Sequence, residues 1–311
     1  MKNLCGKWIV LIVFLLLLFS CSSSSQNSSD KNKSESPVAY KVPEVPMVLN
    51  TREQKMDFLM LHYWDNFNFK DSTSLNKPLV AEQAFADFIN LLFSVPVEKA
   101  TIGISVLMHK AGTDAKMLQF FQGLGEKYMY DPNSPVRNER FYCSLLEPYL
   151  SSNLINDDWK IRPRKQYELA QKNKIGTKAL DFKFTLKNGS ESNLYAIKAK
   201  FLLLFFHNPG CTDCKEQREK ILASAVIKKL QEDGILTVLT IYPDQDLTEW
   251  KKYYSDLPNY WINGYDKKAR IKDEEIYDLK AIPCLYLLND QKIVLLKDAR
   301  FEEIEAFLSN Q

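Results

Sequence analysis

The chain has 311 residues, 45% of them hydrophobic and 26% charged, with 41 Lys and Arg against 39 Asp and Glu. That balance leaves no charge excess to recruit nucleic acid, and the length accommodates two ordinary domains after a leader. The six cysteines do not make a disulfide-stapled scaffold: Cys211 and Cys214 form one close pair, and Cys5, Cys21, Cys143 and Cys284 are scattered singles.

Lys2 and Lys7 precede an apolar run from Trp8 to Phe19, followed by the small residue Ser20. A short basic region, an apolar core and a small residue at the cut describe an export signal over residues 1–20, and the run is too short to span a bilayer as a mature helix. Leu18-Phe19-Ser20-Cys21 resembles the lipobox of bacterial lipoproteins, which implies cleavage before Cys21 and acylation of Cys21 itself. The alternative is a plain secretory signal in which Cys21 is accidental. Several acyl chains on one residue would anchor the chain to the membrane stably, since each buried methylene contributes about 0.8 kcal/mol. Residues 22–37, SSSSQNSSDKNKSESP, hold no large apolar side chain and read as a flexible tether, taken here as residues 21–45. Ser22, not an acidic residue, follows Cys21. Under Gram-negative sorting rules that leans toward the outer membrane, facing the periplasm.

Residues 46–172 follow a helical grammar. Met56, Leu59, Met60, Tyr63 and Trp64 recur at steps of three and four behind Thr51-Arg-Glu-Gln54, an N-cap with its capping-box partner. Phe85, Phe88, Ile89 and Leu92 repeat the pattern and stop before Pro96. Further helices are expected around Met117–Leu124 and Phe141–Leu146, with Asp131–Pro135 as the loop between them, and a charged connecting helix from Trp159 to Lys172. No chemistry is visible in this part. His62 and His109 lack acidic or Cys partners at metal spacing, and Cys143 reads as a small buried hydrophobe.

From residue 173 to 311 the pattern changes. Phe182, Phe184 and Leu186 alternate, Asn188-Gly189 turns the chain, and Leu194 to Ile197 run back as a hairpin. Phe201 to Phe206, FLLLFF, suits a strand covered on both faces of a sheet. After the Cys pair, a helix carrying Leu222, Ala225, Val226 and Leu230 is expected to end at Asp233-Gly234, and Ile235 to Ile241 forms a second buried strand. Strand, helix and strand make a right-handed βαβ unit. A hairpin of Cys284–Leu288 and Lys292–Leu296 and an amphipathic helix, Phe301–Leu308, close the chain.

Cys211 stands where a buried strand gives way to a helix, and there free backbone N–H groups and the helix dipole favour a thiolate. Cys214, three residues on, shares its helical turn and can close a small disulfide ring. The spacing therefore suits a nucleophile, Cys211, and a resolving thiol, Cys214, which frees the mixed disulfide before it is trapped. Half a zinc site would need two further ligands, with only Cys143, Cys284 and His207 on offer. A structural disulfide stays open. The redox reading leads.

At these residues the chain resembles the thioredoxin superfamily, and within it the TlpA-like branch of membrane-anchored thiol oxidoreductases. The resemblance covers about Ile175 to Gln311. It rests on Gly176 and Asp181-Phe182 with their hairpin, the apolar strand into Cys211-Thr-Asp-Cys214, the βαβ unit, and Ala281-Ile-Pro-Cys284 before the last hairpin. It implies an α/β fold with a central mixed sheet flanked by helices, preceded here by an all-α domain. It also implies a cis Pro283 against the Cys pair, so that Ile282 and Pro283 offer backbone to a substrate peptide. The whole layout looks like bacterial lipoproteins that place an uncharacterised helical domain before such a fold.

Departures from the family pattern are local. Gly210 replaces the Trp often found before the first Cys, and Phe205 stands where thioredoxins keep a buried Asp, so catalysis would need another base or water. Asp213 should disfavour and Lys215 favour a Cys211 thiolate. Cys284, directly after the presumed cis proline, should lie near the pair, either as a half-buried strand cysteine or as a third exchanging thiol. His207 reads as a strand-end residue.

The resulting expectation is a lipid-anchored thiol–disulfide oxidoreductase of the cell envelope, reduction favoured as in the TlpA-like branch. It would need no cofactor beyond its redox-active disulfide. Its partners would be protein disulfides or thiols and a membrane-side redox protein. The alternative is a binding or scaffold lipoprotein on a vestigial fold. A peroxidase ranks last, because Pro209 sits too close to Cys211 for the peroxiredoxin pattern.

Overall fold

The computed structural model describes residues 39–70, 75 and 78–311. The expected export signal, Cys21 and the expected tether up to residue 38 lie outside the described residues. Ala39–Gln311 form one compact unit. No helix among the described residues is long and apolar enough to cross a membrane.

Among the described residues, six α-helices build the first part: α1 (Arg52–His62), α2 (Pro78–Leu92), α3 (Val97–Ala111), α4 (Ala115–Gly125), α5 (Glu139–Ser151) and α6 (Asp157–Gln171). The capping box at Thr51 is present: Thr51 Oγ1 accepts from Gln54 N–H at 3.1 Å and Gln54 Oε1 accepts from Thr51 N–H at 3.1 Å. Helix α3 is absent from the sequence reading, although Ala100, Ile104, Leu107, Met108 and Ala111 mark its buried face. A π-helical turn, Glu126–Tyr130, extends α4, and Asp131 N–H reaches back to the Glu126 carbonyl at 2.9 Å. The core is aromatic. Trp64 packs edge-on against Phe88 and Phe121 at centroid distances of 5.5 and 5.3 Å, and all three are buried.

The second part is one mixed sheet of seven strands flanked by helices. The strands are β1 (Lys183–Leu186), β2 (Glu191–Asn193), β3 (Phe201–Phe206), β4 (Leu236–Tyr242), β5 (Ile262–Tyr265), β6 (Cys284–Asn289) and β7 (Val294–Leu296), in the order β2-β1-β5-β4-β3-β6-β7. Central β3 runs parallel to β4 and antiparallel to β6. It is buried on both faces, which is why all six of its residues are apolar. Leu202, Leu204 and Phe206 pack in one layer with Phe182, Phe184 and Tyr286; Leu203 and Phe205 pack in the other with Cys214, Ile221 and Leu287. Each such side chain contributes about 1.5–3 kcal/mol through burial.

Two local expectations are corrected. The helix after the Cys pair is two helices, α7 (Thr212–Ala223) and α8 (Ala225–Glu232), because Ser224 caps the second by accepting from Ile227 N–H at 3.2 Å. The return limb of the first hairpin is strand only to Asn193; Leu194–Ala196 is a 3-10 turn capped by the Asn193 side chain. Between β4 and β5 lies α9 (Leu247–Tyr254), followed after β5 by the short α10 (Arg270–Asp273); α11 (Phe301–Ser309) ends the chain. Gly264 on β5 is there for space, since a Cβ would sit 2.6 Å from the Phe184 ring.

Helices and sheet meet along a charged seam. Glu139 at the start of α5 reaches Lys280 at 2.6 Å and Lys297 at 2.7 Å. Lys280 also contacts Asp278 at 3.0 Å and lies 4.4 Å above the Tyr130 ring, while Arg137 pairs with Asp298 at 3.4 Å. The Lys297 ammonium donates to the carbonyls of Ala170 and Lys172 at 3.0 and 2.8 Å. These are largely buried charges, each of them partnered, as burial requires.

Candidate active site

The site is built where β3 ends. The apolar strand delivers the chain to His207, and Gly210, at φ +72°, bends it into α7. Cys211 is the N-cap of that helix, with extended backbone, and its Sγ accepts the Cys214 N–H at 3.1 Å. The nucleophile expected from the sequence therefore occupies the positive end of α7, with an amide already pointed at its sulfur. Cys211 is half-buried, whereas Cys214 is buried against the sheet. Burial pushes the Cys214 thiol well above its ordinary value, and the hydrogen bond with Cys211 and the charge of Asp213 add to the rise. The two thiols are thus unlike: one is half-open at a helix start, the other held protonated beneath it.

The Ile282–Pro283 peptide is cis, and the Cys211 thiol lies 3.8 Å from the Ile282 carbonyl. Cys211, Cys214, Ile282 and Pro283, far apart in sequence, are thereby brought together. Asp213 is exposed in the first turn of α7; Lys215 is also exposed and lies 3.9 Å from Glu219.

Of the two readings of Cys284, the structure favours the strand cysteine. It follows Pro283 directly, but strand alternation sends its side chain to the opposite face of the sheet. There it packs with Phe206, Tyr277 and Tyr286, while Ile282 and Leu285 pack on the Cys214 side. It is buried; burial and the nearby Asp298 carboxylate push its thiol well above the usual range. It is a strand cysteine, screened from the pair by the sheet itself. Cys143 is half-buried, accepts from Gln171 Nε2 at 3.4 Å, and its thiol is pushed up to about 11, chiefly by burial. Among the described residues, no group of three His, Cys, Asp or Glu side chains is arranged to hold a metal.

Three residues near the pair were missed in the sequence. A cavity of about 410 Å³ opens beside Cys211 and Cys214 and is lined by His207, Arg218, Tyr253 and Asp256 among others. Arg218 lies one turn after Cys214 on the same helix, a spacing that could have flagged it. Its guanidinium stands 3.7 Å from the Asp256 carboxylate. Tyr253 comes from α9, which carried no recognised signal. Its hydroxyl would lie 3.3 Å from a Cβ on Gly210, so it limits the room for a side chain there.

A mixed sheet flanked by helices, a dithiol at the start of the helix after the central strand, and a cis-proline loop against it define a thioredoxin-like protein. Comparison with known proteins places the chain in that family: it belongs to the thioredoxin-like proteins that carry an N-terminal domain of unknown function. The family model described as Thioredoxin-like matches residues 199–294, and the one described as Domain of unknown function (DUF5106) matches residues 20–173. The crystal structure of a thioredoxin-like protein from Bacteroides caccae is 44% identical, covers 88% of this chain and 98% of its own, and superposes with a TM-score of 0.85. The C-terminal domain of an uncharacterised protein from Bacteroides fragilis is 49% identical over 44% of this chain and 98% of its own, with a TM-score of 0.44. The thioredoxin domain of a thiol-disulfide oxidoreductase from Bacteroides vulgatus is 21% identical over 44% of this chain and 96% of its own, with a TM-score of 0.40. No curated protein sequence matches the chain.

Proposed function

We propose that this protein is a thiol–disulfide oxidoreductase that works on protein disulfides in the cell envelope, held to a membrane by acyl chains on Cys21. The observation that carries the reading is the unlike dithiol: Cys211 half-open at the α7 N-terminus, Cys214 buried beneath it, and the cis Ile282–Pro283 peptide alongside. Cys211, as thiolate, attacks one sulfur of a substrate disulfide and expels the other as a thiolate. Cys214, losing its proton, attacks Cys211 and expels the second substrate thiolate. The protein dithiol is oxidised by two electrons, the substrate disulfide is reduced by two, and the protons lost by the cysteines balance those taken up by the leaving thiolates. Reduction is the favoured direction, with a membrane-side dithiol partner restoring the pair. The reaction needs no cofactor beyond the disulfide.

A Cys214→Ser chain should accumulate mixed disulfides on Cys211, whereas a Cys211→Ser, Cys214→Ser chain should be inert toward a disulfide peptide. Equal activity of that double variant and the native chain would sink the proposal, and a vestigial binding fold would take its place. Anchoring is tested separately: Cys21→Ser should move the protein out of the membrane fraction, and retention there would refute the lipid anchor.

A further inference from the structure

Resolution of the mixed disulfide sets a physical problem at Cys214. The thiol is buried against Phe205 and Leu285, and it must shed a proton before it can attack. A lone thiolate there would stand in apolar surroundings, so the proton must pass to a group close by. Phe205 supplies none. The cavity beside the pair does.

His207 lies two residues beyond Phe205, and the two rings are 5.4 Å apart between centroids. Its side chain is only 6% exposed, and its Nε2 has no hydrogen-bond partner. A buried ring nitrogen without a partner is uncommon and asks for a reason. This one lines the same 410 Å³ cavity as Cys214, large enough for water to bridge the two. The charged and titratable groups facing that cavity are Cys211, Cys214, Lys215 and Arg218 from α7, Tyr253 from α9, and Asp256 just after it. Arg218 cannot give up its proton to become a base, and Asp256 is half-exposed and lies against Arg218. Lys215 projects to solvent beside Glu219.

Resting on the oxidoreductase reading above, we propose that His207 accepts the Cys214 proton, directly or through one water, in the step that resolves the mixed disulfide. The S–H bond of Cys214 breaks as an N–H bond forms on the imidazole. The Cys214 sulfur then bonds to the Cys211 sulfur, and the substrate sulfur leaves with the electron pair of the old disulfide bond. Imidazolium returns its proton to the departing thiolate or to solvent. Burial and the nearby Arg218 lower His207 to about 4, so the ring is neutral and able to accept at physiological pH. Neither charge is stable alone in this site, but the imidazolium–thiolate pair is formed together and carries no net charge.

The test uses the full chain, reduced and purified in detergent, mixed with 5,5′-dithiobis(2-nitrobenzoate). Attack by Cys211 releases one coloured thiolate in a phase that depends on reagent concentration. Attack by Cys214 releases a second in a phase that does not, and this leaving group needs no proton. Replacing His207 with Ala should slow the second phase by about a hundredfold, a usual contribution of a proton-transfer group, and leave the first within about twofold. His207→Phe, which keeps bulk, should slow it equally. Added imidazole should restore the rate of the alanine variant. The native second phase should stay level from about pH 8 down to about 5, whereas that of His207→Ala should fall about tenfold per pH unit. An unchanged second phase, or equal slowing of both phases with no imidazole rescue, overturns the role of His207. A native chain that releases only one thiolate overturns the oxidoreductase reading, and the relay with it.

Discussion

Glu139 is central to the seam, because its carboxylate bridges two buried lysines. Arg137, Lys280 and Lys297 face Glu139, Asp278 and Asp298, so the cluster is balanced until one charge is removed. At an effective dielectric of about 20, charges 4 Å apart attract by ~4 kcal/mol, giving ~8 kcal/mol gross for the two Glu139 contacts. Desolvation offsets much of that. Lys280 would keep Asp278 at 3.0 Å, and Lys297 would keep the carbonyls of Ala170 and Lys172. Breaking a buried pair costs about 3–5 kcal/mol, and these surviving partners set Glu139→Gln at the lower end, near 3 kcal/mol. Burial alone would raise the Glu139 carboxyl, but Lys280 and Lys297 outweigh it and hold it below the ordinary range. A depressed folded value means the stabilisation is full above the unfolded value of about 4.3 and is lost as pH falls through the folded one. Urea unfolding of residues 39–311, followed by tryptophan fluorescence, should show the full gap between native and Glu139→Gln at pH 7. The gap should narrow below about pH 4 as the native carboxyl takes up its proton. A gap under about 1 kcal/mol at pH 7, or one that does not narrow at all as the pH falls below about 4, would refute the reasoning.

Brief treatment of the reduced chain with iodoacetamide should modify Cys211 first and spare Cys214 and Cys284, whose burial keeps them protonated; peptide mass mapping reads the order, and early labelling of Cys284 would contradict its placement. Replacing Gly210 with Ala should cost about 1–2 kcal/mol in a thermal melt, because φ +72° is left-handed and the new Cβ would press on the Tyr253 hydroxyl. Cys284→Ser should leave both phases of the dithiobis(nitrobenzoate) reaction unchanged, and a change in either would show that the sheet does not isolate it.

Much of the fold was legible because it rests on periodicity. The FLLLFF run is apolar since β3 is central, and the Thr51 capping box and the helix start at Cys211 are set by neighbours within four residues. Cys211 and Cys214 stood out by their spacing, whereas the cis Pro283 was expected only from the resemblance of Ala281-Ile-Pro-Cys284 to the thioredoxin loop, and the peptide is cis. The rest depends on contacts that no local pattern encodes. Lys280 and Glu139 are ordinary charged residues 141 positions apart, and only the packed chain makes them a pair. Adjacency to Pro283 left two readings open for Cys284, and which way its side chain leaves the strand favours the strand cysteine. Helix α3 was within reach, its stripe from Ala100 to Ala111 being as regular as that of its neighbours. Tyr253 was not, because α9 is a short helix and Tyr253 lies off its apolar stripe of Leu247, Trp250 and Tyr254.

The π-helical turn at Glu126–Tyr130 acts as a phase shift in the chain. One residue more than an α-turn needs is accommodated there, which rotates everything after it by roughly 100° relative to a continuous α-helix. In the observed phase Tyr130 lies over the Lys280 ammonium, at the foot of the loop that presents Ile282 and Pro283. The extra residue thus decides where Tyr130 meets Lys280 and Asp278, much as a shim decides where two faces meet.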